Sequence, residues 1–262
     1  MRRFLLLSLL MLCVGASSAW AGTIYAMDDA NNSLYTIDPV TYAATLVGST
    51  GVSAGDFGDL AYNPNSSTAY WIPGRGNDNL YTINLQTGAA TLIGSHGVND
   101  LFALAYDTAT SKLYAQDTGG NFYSLNTSTG AATLIGNNGV YPGGMEYRAD
   151  INQVILSGAG NGSFYSVDPN NGATTFLGNP GFLNDNDVAW DPDKGVYLVD
   201  DWSNNLYSID PNTYAATILK SYGNPWDGII YVSAGATTPE PGTMLLLGTG
   251  IVGLASKLRR KK

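Results

Sequence analysis

The chain has 262 residues, yet it contains a single cysteine and a single histidine. Cys13 falls inside an N-terminal apolar run, so everything after that run lacks thiols. Disulfides and thiolate metal sites are thereby excluded from the body. With His96 as the only imidazole, a multi-histidine metal centre is excluded too. Basic side chains are also scarce: residues 22–238 hold five against 20 acidic ones, a balance of −15. The whole-chain value of −9 conceals this, because seven of the twelve Lys and Arg sit at the two ends. A surface of that sign does not suit nucleic acid. The body shows no convincing 3.6-residue apolar period, which argues against helices. It has no Gly-x-Ser-x-Gly elbow. Asp185-Asn186-Asp187 lacks the glycine and distal glutamate of an EF-hand. Gly158 to Gly162 is Gly-rich but precedes no helix, so it reads as a turn rather than a phosphate cradle.

What is present begins at the ends. Arg2 and Arg3 precede an apolar run from Phe4 to Val14, and Ala19 and Ala21 place small side chains at the −3 and −1 positions before Gly22. That order is a secretory signal peptide over residues 1–21, cleaved after Ala21 by signal peptidase. The run is too short to span a bilayer core of roughly 30 Å, so an uncleaved anchor fits poorly. Leu12 is too large for a lipoprotein box around Cys13. At the other end come Pro239-Glu240-Pro241, an apolar stretch from Met244 to Ala255, and a terminal cluster of Lys257, Arg259, Arg260, Lys261 and Lys262. The basic end favours the cytoplasmic side.

These three C-terminal elements, in this order, resemble the PEP-CTERM sorting signal. The resemblance covers residues 236–262: a linker, the motif, a short apolar transmembrane helix and the basic end. It implies recognition and cleavage near Pro239, Glu240 and Pro241 by an exosortase. It also implies a Gram-negative bacterium making extracellular polysaccharide, a transient stay in the inner membrane, and a final place on the outer surface or in the extracellular matrix.

Between the ends lies a repeat. Leu34-Tyr35-Thr36-Ile37-Asp38 recurs as Leu80 to Asn84, Phe122 to Asn126, Phe164 to Asp168 and Leu206 to Asp210. The tyrosines stand at 35, 81, 123, 165 and 207, so the spacings are 46, 42, 42 and 42. A period near 42 belongs to the blade repeats of β-propellers. Each repeat carries four short candidate strands separated by turn residues; in the third they begin at Leu104, Lys112, Asn121 and Ala131. Turns such as Asp38-Pro39-Val40-Thr41-Tyr42 and Asn84-Leu85-Gln86-Thr87-Gly88 join third strands to fourth. The array starts on a second strand at Thr23 and ends on a first strand near Ile229, so the two incomplete ends make one blade. An open solenoid would have capping repeats instead. The expected fold is therefore all-β: residues 22–235 form a five-bladed propeller of four-stranded blades, closed by N- and C-terminal strands sharing one blade.

In such a ring the fourth-to-first and second-to-third loops share one face, here called distal, while the chain enters and leaves on the other. The distal loops are expected to carry Asp59, Asp100, Asp185, Asp187 and Asp227, with Trp202 and Trp226 among them. Carboxylates and aromatic rings around a concave mouth suit a ligand, and these seven residues are the candidate binding set. No cofactor is required; Ca²⁺ is the cation that clustered carboxylates would suit. The expected function is an exported surface or matrix protein binding glycan or protein. The alternatives are a glycan-active hydrolase or lyase working through paired carboxylates, and a purely structural matrix component. No residue declares itself as a nucleophile or acid, so the reading leans away from an enzyme.

Overall fold

The computed structural model describes residues 22–28, 30–53, 55–160, 162–181, 185–223 and 226–234, with only the backbone at 185 and 186. The signal residues Ala19 and Ala21, the motif Pro239-Glu240-Pro241 and the expected C-terminal helix lie outside them.

Short runs rich in Tyr, Leu, Ile, Val and Thr, broken by Gly, Asn, Asp and Pro, fold into antiparallel four-stranded sheets. The first blade takes β1 (Thr23–Asp28), β2 (Ser33–Ile37) and β3 (Ala44–Ser49). The second is β4 (Asp59–Asn63), β5 (Thr68–Ile72), β6 (Asn79–Ile83) and β7 (Ala90–Ser95). The third is β8 (Leu101–Asp107), β9 (Lys112–Asp117), β10 (Asn121–Leu125) and β11 (Ala132–Asn137). The fourth is β12 (Pro142–Arg148), β13 (Gln153–Gly158), β14 (Ser163–Val167) and β15 (Thr174–Gly178). The fifth is β16 (Asp185–Asp191), β17 (Val196–Asp201), β18 (Asn205–Ile209) and β19 (Ala216–Ser221). The last strand, β20 (Ile229–Val232), returns to the first blade and pairs with β1, Thr23 opposite Val232 and Ala26 opposite Ile229. The protein is a five-bladed β-propeller closed in this way.

The inner strands β4, β8, β12, β16 and β20 touch in a closed cycle around the axis. Five apolar clusters fill the five junctions between blades. Leu34, Leu80, Phe122, Phe164 and Leu206, the first residue of each repeated motif, are all fully buried there. Each such side chain contributes roughly 1.5–3 kcal/mol by leaving water. Repetition of the motif is thus repetition of the junction.

The inner strand of the third blade begins at Leu101, three residues before the apolar-polar pattern suggests, because a bulge between Leu101 and Ala103 lets the strand continue past Gln116 to Asp117. The same irregularity lets β16 begin at Asp185. These extensions bring inner-strand residues up to the distal rim.

Candidate functional site at the distal mouth

Five backbone N–H groups occupy equivalent places on the inner strands: those of Leu60, Leu104, Met145, Val188 and Ile229. Inner strands have no sheet neighbour on the axial side, so these donors need partners. Two carboxylates supply all five. Asp59 accepts from Leu60 (2.5 Å) with Oδ1, and from Leu104 (2.5 Å) and Met145 (3.3 Å) with Oδ2. Asp187 accepts from Val188 (2.6 Å) with Oδ1 and from Ile229 with Oδ2. The two side chains also hydrogen-bond to each other. Asp59 reaches blades two, three and four, while Asp187 reaches blades five and one. Both are fully buried. Burial and, at Asp187, the neighbouring Asp59 charge push both carboxyls well above the usual carboxylate range. The pair therefore keeps a proton, since two close carboxylates out of water do not both ionise.

Room for the pair comes from the other three blades. Ala103, Gly144 and Gly228 stand where Asp59 and Asp187 stand in theirs. A Cβ on Gly144 would lie 2.0 Å from Asp187 Oδ1, and one on Gly228 would lie 3.2 Å from the Leu60 nitrogen. One layer further along the axis, Glu146 accepts from the Trp190 N–H at 3.3 Å. Burial raises its carboxyl to about 7.

At the distal ends of β4 and β8 lies an aromatic roof. Phe57 contacts Phe102 at 5.1 Å between ring centroids and Trp202 at 5.2 Å, and Phe102 meets Tyr141 edge-on at 5.9 Å. Trp202 belongs to blade five and Phe57 to the loop entering blade two, so the roof crosses between blades that are not neighbours. Trp202 and Tyr141 are 43% and 37% exposed, whereas Phe102 is buried. The Arg75 guanidinium lies 5.5 Å from the Phe57 ring centre and 5.4 Å from that of Phe102. Asp100 faces it at 3.7 Å.

The roof rests on a stiff support. The Gly55 N–H donates to the Pro73 carbonyl and the Arg75 N–H to the Asp56 carbonyl, each at 2.9 Å. A Cβ on Gly55 would lie 1.8 Å from the Arg75 oxygen, and one on Gly74 would lie 2.3 Å from the Asp56 oxygen. Two glycines therefore let the two distal loops of blade two lie backbone to backbone. Phe57 is held there at φ +64°, a region costly for a bulky residue and typical of sites that the surroundings over-determine.

The expected site residues separate into groups. Trp202 and Asp100 are at the mouth. Asp59 and Asp187 are corrected: they are strand residues sealed on the axis, their oxygens taken by N–H donors. Trp226 is corrected as well; it is buried in the junction of blades one and five, against Tyr35 at 5.2 Å and Tyr222 at 5.1 Å. Asp227 is buried, with its N–H on the Met27 carbonyl at 2.9 Å. Asp185 is the first residue of β16, with its backbone opposite Asp201. Phe57, Phe102, Tyr141 and Arg75 complete the mouth and were not in the expected set. A signal existed: the first tyrosine spacing is 46 instead of 42. The extra residues lengthen the two loops that carry Phe57 and Arg75, 50–58 and 73–78. The described residues contain no group of three metal-ligating side chains.

The fold and the C-terminal tail together define an exported propeller with a sorting motif. Residues 237–261 match the PEP-CTERM protein-sorting motif, so the chain carries the signal of an exported protein processed by exosortase, with a transiently membrane-anchored C-terminus. No curated protein matches the sequence. Among solved structures, one similar chain is a structural-genomics protein of unknown function from Bacteroides thetaiotaomicron VPI-5482. It has 20% identity and a TM-score of 0.57, with 77% of this chain covered. This chain spans only 56% of that protein's length. A second is a chain of a nidogen/laminin complex, with 10% identity and a TM-score of 0.58, covering 81% of this chain and 98% of that one. At such identities the likeness is one of fold alone.

Proposed function

We propose that this is a surface or extracellular-matrix protein, released from its signal peptide by cleavage after Ala21, whose propeller binds glycan at the distal mouth. The observation that carries the reading is the roof: Trp202 and Tyr141 exposed on a base of Phe57 and Phe102, with Arg75 and Asp100 at its edge. Aromatic faces take the C–H faces of sugar rings at low entropic cost. An adjacent Arg–Asp pair offers donors and acceptors for hydroxyls. The polypeptide enters the ring at Thr23 and leaves it at Val232, both on the opposite face.

A hydrolase reading finds no support here. The close carboxylate pair is shut off from solvent and saturated by N–H groups, so it has no acid and base to present to a sugar. Calcium is no part of this reading either, since Asp59 and Asp187 face N–H donors and Asp100 faces a guanidinium.

The test is a polysaccharide panel probed with the exported protein, followed by titration of any ligand with Trp202→Ala and Tyr141→Ala. Truncating a central aromatic typically costs about 2 kcal/mol or more, so affinity should drop roughly 30-fold with Trp202→Ala. Unchanged affinity in both variants, or retention of an exported protein in place of any glycan, would overturn the glycan assignment.

A further inference from the structure

The first residue after the expected cleavage point is unusually well held. The Gly22 nitrogen lies 2.9 Å from the Tyr231 hydroxyl oxygen and 3.2 Å from Asp193 Oδ2. Tyr231 in turn donates its hydroxyl to the same Asp193 oxygen at 2.5 Å. Gly22 is buried. A Cβ there would meet the Tyr231 ring at 2.5 Å and its oxygen at 2.6 Å, so any side chain would displace the tyrosine from this contact. Two acceptors thus converge on one nitrogen. In an uncut chain that nitrogen is an amide with one hydrogen; at a free terminus it is an ammonium with three.

We infer that Gly22, once freed by signal peptidase, docks as an α-ammonium against Asp193 and Tyr231 and so completes the closing blade. The inference rests on the cleavage proposed above. In that hydrolysis, water adds across the Ala21–Gly22 bond. Its oxygen stays on the Ala21 carboxylate and its two hydrogens end on the Gly22 amine, which is thereby an ammonium. Cleavage takes place on the translocating chain, and the terminus docks when the ring closes.

The surroundings have the right sign. The end of β16 contributes Asp191, and the loop that follows it contributes Asp193 and Lys194. The turn after β2 adds Asp38 and Tyr42, β20 adds Tyr231, and β1 adds Tyr25. Lys194 is occupied elsewhere: it donates to the Tyr42 hydroxyl at 2.8 Å and to the Pro39 carbonyl, and lies 3.7 Å from Asp191 Oδ2. Three carboxylates against one ammonium leave a negative balance near Gly22. The contact also joins β1 to two other parts of the closure at once, since Tyr231 is on the paired strand and Asp193 is in the next blade.

The experiment compares two forms of residues 22–262, one starting at Gly22 and one carrying an additional Ala21, each made by a protease that leaves the native terminus. The Gly22 form should melt higher by about 2–4 °C at pH 6. The gap should close in Asp193→Asn, and should close at pH 10, above the usual α-amino range of about 8. Equal melting, or a gap that survives Asp193→Asn, would overturn the inference. Should Asp193→Asn fail to fold, acylation of the wild-type α-amine at pH 7 serves instead. A docked terminus should react at least tenfold more slowly in the folded protein than in urea, and equal rates would count against docking. The intact mass of the exported protein separates the two ideas: a terminus other than Gly22 removes the cleavage reading, whereas a Gly22 terminus without a melting gap removes only the docking.

Discussion

Asp59 and Asp187 look, in the sequence, like other members of an acidic surface. Their burial follows from where the inner strands meet, and pattern within one blade does not report it. A faint trace exists in the small residues Ala103, Gly144 and Gly228 at the equivalent places, but their smallness has meaning only once the axis is known. Replacing Asp59 with Ala would strip the N–H groups of Leu60, Leu104 and Met145 of their partner. At about 1–3 kcal/mol for each orphaned buried group, the loss in urea unfolding should be 3 kcal/mol or more. The pair also sets a pH dependence. Its carboxyls are raised by burial, so the folded ring holds a proton that the unfolded chain releases above about 4. This contribution to stability is full below that value and is lost as pH rises through the raised one. Glu146, raised to about 7, adds the same trend between about 4.5 and 7. Asp38 and Asp210 act oppositely. Turn N–H groups hold them below the usual range, so their contribution is present above about 4 and lost on acidification. Maximum stability is therefore expected on the acidic side of neutrality. Glu146→Gln, which keeps an acceptor for Trp190 and removes the charge, should be more stable than the parent at pH 8 by about 1–3 kcal/mol. Thermal melts of both proteins from pH 4 to 9 would check the slope and the crossing.

At the scale of elements, the turns were the most legible part. Asp38 caps its turn by accepting from the Val40 and Thr41 N–H groups at 2.9 and 2.6 Å, and Asp210 does the same for Asn212 and Thr213 at 2.8 and 2.9 Å. The last turn position needs positive φ, and Gly88, Gly130 and Gly172 supply it; Tyr42 and Tyr214 take it at +55° and +57°. Tyr214 accepts this geometry because its ring covers Gly178 and packs on Phe164 at 5.5 Å. Tyr214→Gly should accordingly destabilise by about 1–3 kcal/mol despite relieving the backbone, and a melt would show the sign. The outer strands carry a second rule. Gly48 and Gly94 lie against the turn of the following blade, where a Cβ would come within 2.3 Å of the Thr87 oxygen or 2.1 Å of the Thr129 oxygen. Gly94→Ala must push two blades apart and should cost about 1–3 kcal/mol in denaturant unfolding. Leu46, Leu92, Leu134, Phe176 and Ile218 point outward from the same strand position, about 60% exposed, each opposite a motif tyrosine. Every outer pairing also contains a bulge beside that tyrosine. Such a bulge bends an exposed edge away from regular pairing with another chain.

For the whole molecule, closure is the governing event, because β20 supplies both the inner strand of blade one and the Ile229 N–H that Asp187 accepts. A chain ending at Gly228 should lose its cooperative unfolding transition, as seen by circular dichroism in urea, rather than merely fray; a sharp transition with the parent midpoint would contradict this. The fold itself was open to sequence reading because a blade is a local object. Period, turn chemistry and out-of-phase ends all lie within about 42 residues, and each repeat states them again. The C-terminal sorting motif was readable for the same reason, being a linear motif. The site was not local. The roof joins Phe57, Phe102, Tyr141 and Trp202 from four stretches of chain, and the same acidic residue type serves as surface, turn cap or axial seal according to its distance from the axis. The sequence by itself determined the blades, their number and the sorting motif at the C-terminus. Only the tertiary structure decided which aspartates see water, because burial depends on how five sheets converge, and no single sheet contains that information.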